Sequence, residues 1–169
     1  MYYQSLKQII KMLSSFQNIL TKTEQYAEAK KFDSAVLLNS RLAPDQFPLS
    51  KQIQTFCDMS KFMAARLSSK EAPKHDDNEK TLGELKDRIG KVIDYLNGFN
   101  PSDFENIEDK KIELAFRPGL YLSPEDYLIE FVLPNVYFHL TTAYQILRHN
   151  GLEIGKLDYL GSVNFKKID

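Results

Sequence analysis

Most of what this sequence lacks excludes something. It holds a single cysteine, Cys57, in 169 residues. One thiol rules out an internal disulfide and suits a reducing compartment, so the expected location is the cytoplasm. There is no dense basic block: 22 basic residues are spread among 23 acidic ones, for a net charge of −1. A nucleic-acid footprint needs a cationic stripe, so nucleic acid is not an expected partner. The longest apolar stretch, around Ile129 to Leu133, is too short and too interrupted to span a bilayer, and no membrane association is expected. The opening residues MYYQSLKQII lack a cationic segment, an apolar run and a small-residue cleavage site, so they do not read as a signal peptide. Also missing are a glycine-rich phosphate loop, a nucleophile elbow, paired cysteines, internal repeats and low-complexity segments. Hydrophobic residues make up 43% of the chain and charged ones 27%. Those proportions are ordinary for a globular chain, and the length predicts one domain over residues 1–169 with a proper core.

Helical periodicity is the main signal that is present. Leu6, Ile9, Leu13, Phe16, Leu20 and Ala27 recur at spacings of three and four, which predicts a first helix from Tyr3 to Lys31. A connection from Phe32 to Phe47 follows. Pro48 is suited to the first turn of a second helix, Leu49 to Leu67, because its missing donor would be unpaired there anyway. The apolar seam of that helix is Leu49, Ile53, Phe56, Met63 and Leu67, with Gln52, Thr55 and Asp58 along its edge at spacings of three. Residues 68–80 are polar and charge-dense and read as a loop. Thr81 with Glu84 is a capping-box signature for a third helix that runs to Gly98 through Leu82, Leu85, Ile89, Val92 and Leu96. Beyond an acidic loop, Ile112, Leu114 and Phe116 alternate with polar or small residues, and Pro118-Gly119 turns the chain into Leu120–Leu122, a short β-hairpin. Ser123-Pro124-Glu125-Asp126 opens a fourth helix that ends near His149, with Gly151 as its left-handed stop.

The stretch from Leu133 to Gly161 holds the candidate site. Apolar residues cover most of the fourth helix, as expected of a central element, and Pro134 should bend it. Asn135 and His139 stand four apart on one face. Each has two readings. His139 could fix the core register by bonding to Asp58 or a tyrosine, or act with Asp58 as a base and its orienter. Asn135 could line a ligand site or merely satisfy carbonyl groups freed by Pro134. Cys57 points about 100° away from Asp58 around its helix and reads as a small core residue. His75, in the charged loop, is expected to be solvated. Arg41, Arg148 and Lys156 could converge on an acidic ligand, or pair with Asp45, Asp58 or Asp158.

At FHLTTAYQILRHNG, residues 138–151, the chain resembles the closing motif of the DinB/YfiT-like superfamily, in which a fourth helix carries H-x-x-x-H and then L-R-x-x-G. Leu147, Arg148 and Gly151 fit the end of that motif. His139 falls on its second histidine and Asn135 on its first. The second helix is similar to the one that supplies the superfamily's third histidine, whose position Thr55 occupies here. The longer texture, RLAPDQFPLSKQ, PNVYFHLTTAYQILRHNG and GKLDYLG, looks like an uncharacterised bacterial family, a domain of unknown function, within this superfamily. The resemblance implies an all-α four-helix bundle with a short β-hairpin before the last long helix. It also implies a divalent metal (zinc, nickel or iron), homodimerisation, and transferase or isomerase chemistry on small, thiol-linked substrates. Only His139 of the three ligand positions is still a histidine. On this reading the metal, if retained, rests on His139 and Asp58. Without it the chain is a metal-depleted bundle that binds a small ligand through Asn135, Thr55, Gln52 and Arg148 around His139.

Overall fold

The structure is a computed structural model, and it describes residues 1–168. Seven α-helices occur among them. The long ones are α1 (Tyr2–Lys30), α3 (Leu49–Ser68), α4 (Leu82–Asn97) and α6 (Leu133–His149); α2 (Ala35–Leu38), α5 (Pro124–Asp126) and α7 (Lys156–Leu160) are short. The four long helices form the bundle. α3 packs against both α6 and α4, and α1 packs mainly against α4. The seams read from periodicity are the ones that are buried, including Leu6, Ile9, Leu13, Phe16 and Leu20 of α1 and Ile53, Phe56, Met63 and Leu67 of α3.

The helix ends follow from local chemistry. Thr81 and Glu84 form a full capping box, Thr81 Oγ1 accepting from the Glu84 amide and the Glu84 carboxylate accepting from the Thr81 amide. Ser123 Oγ accepts from the Asp126 amide at 3.1 Å, so the fourth helical segment starts where the Ser-Pro-Glu-Asp run puts it. At its far end Gly151 takes φ +89°, and the Leu152 amide bonds back to the Leu147 carbonyl, a left-handed stop that spares orphan acceptors. Pro48 lies one residue outside α3, as its cap, rather than in the first turn.

Three features differ from expectation. The β-hairpin pairs only Ile112 with Leu122 and Glu113 with Tyr121 in antiparallel register, so Leu114 to Phe116 lie beyond it. The last long helix is not α-helical throughout, because residues Tyr127–Val132 form a π-turn between α5 and α6. A π-turn widens the helix by one residue, and Pro134, with no amide to donate, stands two residues after it. Nor is this helix the buried centre: Ile129 and Phe138 are exposed, while α3 takes the position between two neighbours. The tail does return to the body. α7 packs on α1, and Lys22 Nζ pairs with Asp158 Oδ1 at 2.6 Å. Among the described residues no helix is long and apolar enough to cross a membrane.

Candidate functional site

His139 is buried on the face of α6 that meets α3. Its Nδ1 lies 2.7 Å from Gln52 Oε1, and Gln52 Nε2 donates to the Phe47 carbonyl at 3.0 Å. The amide therefore uses both ends, which fixes its orientation. An amide oxygen can only accept, so His139 Nδ1 carries the proton and Nε2 is the bare acceptor of a neutral ring. Burial pushes the His139 pKa down, which favours that neutral form. The ring stacks on Phe47 (centroids 6.3 Å apart, planes 17° apart) and meets Phe138 edge-on. Both phenylalanines are themselves exposed, while the imidazole they flank is buried. Its partner is thus neither Asp58 nor a tyrosine but Gln52, expected in the site only as a ligand-binding residue.

The other expected residues are engaged elsewhere. Thr55 donates to the Lys51 carbonyl of its own helix at 2.7 Å. Asn135 Nδ2 donates to the Phe131 carbonyl at 2.6 Å, satisfying an acceptor within the π-turn. Arg148 closes the turn after α6 by donating to the Leu152 carbonyl. Asp58 forms no pair with His139 and turns to the opposite neighbour: its Oδ1 accepts from Arg88 Nη2 at 2.8 Å and from Lys61 Nζ at 2.9 Å. The acid–base pair of Asp58 and His139 is therefore not assembled. Arg41 donates weakly to the Pro44 carbonyl rather than joining Arg148. Cys57 is fully buried, and desolvation pushes its thiol up, in keeping with a small core residue.

Asp58 belongs to a charged cluster that the sequence reading missed. Arg88, 2% exposed on α4, also meets Asp77 at 2.7 Å and Glu79 at 2.8 Å through Nη1. Lys51 pairs with Asp77, and Gln54 donates to Glu79. His75 is not solvated as expected. Its Nδ1 accepts from Lys61 Nζ at 3.0 Å, because a lysine ammonium can only donate, so this ring is neutral with its proton on Nε2. Desolvation, then the positive charges of Lys61 and Arg88, push its pKa down against the opposing pull of Asp58 and Glu79. Burial alone would raise Asp77 and Glu79, but the hydrogen bonds and charges supplied by Lys51, Gln54 and Arg88 outweigh it and hold both carboxyls low. The signal available in the sequence was an arginine between Leu85, Ile89 and Val92 on the apolar seam of α4, where a buried charge demands partners.

The donors around His139 do not suit a resident zinc, nickel or iron. They comprise one imidazole, already committed at Nδ1, an amide that is bonded at both ends, and a hydroxyl and a second amide each tied to backbone. None of the three non-histidine groups is anionic or strongly basic. Among the described residues no three His, Cys, Asp or Glu side chains converge as a metal site would require.

The four long helices, with His139 of the last one turned toward Gln52 of α3, form a DinB-like bundle. The chain belongs to the family described as a domain of unknown function, DUF1993, whose model matches residues 1–160. A solved DinB family member from Shewanella denitrificans is 50% identical, with a TM-score of 0.92 over 96% of this chain and 93% of that one. No curated protein matches.

Proposed function

We propose that this chain is a metal-depleted DinB-like bundle that binds a small ligand through neutral His139, rather than a metal-dependent transferase or isomerase. The observation that carries this reading is the relay from His139 through Gln52 to the Phe47 carbonyl. It holds α6 to α3 by hydrogen bonds where a metal-binding relative would use coordination. It also presents Nε2 as an acceptor for a ligand donor between two aromatic rings. Homodimerisation and a cytoplasmic location belong to the same proposal.

Metal analysis of protein purified without an affinity tag tests it. The expected result is zinc, nickel and iron far below one per chain, unchanged in His139→Ala. Near-stoichiometric metal in the wild type that disappears in His139→Ala would establish the transferase reading and overturn this one. Nitrogen-15 spectra of the histidine rings give a second readout, with His139 expected as the Nδ1–H tautomer.

A further inference from the structure

The loop over residues 70–80 crosses the seam of α3 and α4 and bounds a cleft of about 740 Å³ against α3. Arg66 stands in its wall. The guanidinium packs on the Phe62 ring at 4.9 Å and on the Tyr127 ring at 5.8 Å, and Nη1 donates to the Tyr127 hydroxyl at 3.0 Å. Tyr127 is fully buried at the start of the π-turn, so this hydrogen bond anchors the arginine to a rigid part of the bundle. Two other cations that line the cleft are paired: Lys61 with Asp58 and Lys70 with Asp103. Among the described residues, Arg66 has no carboxylate at ion-pairing distance, and neither does Lys74 on the opposite, loop side of the cleft. An arginine held by two rings and a buried phenol, with most of its fork unspent, is preorganised for a planar acid.

We infer that this cleft is a binding site for a small monocarboxylate with a flat apolar body, its carboxylate on Arg66 with Lys74 assisting, and its body against Phe62, Ala65 and Pro73. The wall favours that class over phosphate. Phe62, Ala65, Ala72 and Pro73 line it with hydrocarbon, and the acids Asp58, Glu71 and Asp76 in its lining repel a dianion more than a monoanion. The site is separate from His139 and does not depend on the reading given to it.

Benzoate is the probe, with inorganic phosphate and benzylamine as competitors of different charge, titrated against the full chain by NMR. Benzoate is expected to bind in the millimolar range and to give intermolecular NOEs from its ring protons to Phe62 and Ala65. Its affinity should fall at least about tenfold in Arg66→Met, and less in Lys74→Ala. Arg66→Lys retains charge but loses the fork, and is expected to be intermediate. If Arg66→Met does not fold, the wild-type NOEs together with Arg66→Lys decide the matter. The inference is overturned by no benzoate binding at tens of millimolar, by equal binding to the wild type and a folded Arg66 variant, or by phosphate or benzylamine binding more tightly.

Discussion

Replacing Arg88 by methionine keeps most of the side-chain volume and removes the cation on which three carboxylates converge. In the wild type the guanidinium lies 2.7–2.8 Å from Asp58, Asp77 and Glu79 and is 2% exposed. Removing one partner of a fully buried pair costs about 3–5 kcal/mol, chiefly from the charge left behind. Here the stranded acids are only partly buried, and Lys51 and Lys61 still reach two of them, so a loss of about 2–4 kcal/mol is expected. For a chain of this length that lowers Tm by roughly 4–16 °C. Urea unfolding followed by circular dichroism would measure it, with Arg88→Lys intermediate because it retains charge without the fork.

The pH dependence gives the sharper check. Asp77 and Glu79 are held below their ordinary carboxyl values, so their contribution is complete above the unfolded carboxyl range and lost as pH falls through the lower folded values. The gap between wild type and Arg88→Met should therefore be widest near neutrality and shrink on acidification, as the stranded carboxylates take up protons. A gap below about 1 kcal/mol at neutral pH, or one that stays constant into the acid range, would refute the reasoning.

Two further outcomes are expected. Both His75 and His139 are held below the ordinary histidine value, so the unfolded chain binds more protons in that range. Their stabilising effect is complete above the unfolded histidine pKa of about 6.5 and declines as pH falls from there toward the folded values; urea midpoints should follow that slope, and a His75→Gln/His139→Gln double variant should flatten it. Gly151→Ala meets both a φ of +89° and the Tyr26 hydroxyl 2.8 Å from the new methyl group, and should cost about 1–3 kcal/mol by the same urea assay.

The bundle was legible because the first three long helices each carry one apolar stripe, and two helical starts have caps of recognisable chemistry, Thr81 with Glu84 and Ser123 with Asp126. The site was only partly so. Gln52, Thr55 and Asp58 look adjacent at spacings of three, yet each three-residue step falls about 60° short of a full turn. Over two steps Asp58 swings about 120° away from Gln52, enough to leave the face toward α6 and join α4. His75 was misread for a different reason. Loop composition predicts exposure on average, but it does not say which loop residues fold back onto buried cations such as Lys61. Nor does a π-turn announce itself, since Tyr127 to Val132 contains nothing that an α-helix would refuse.

That turn decides which side of the last helix looks inward. One extra residue in a helical turn advances every later side chain by about 100° relative to those before it. Tyr127 and Leu128 are seated in the core at its start, and His139 meets Gln52 beyond it. Deleting a single residue between them would leave both ends helical but out of phase, so the imidazole and the tyrosine could no longer be housed at once.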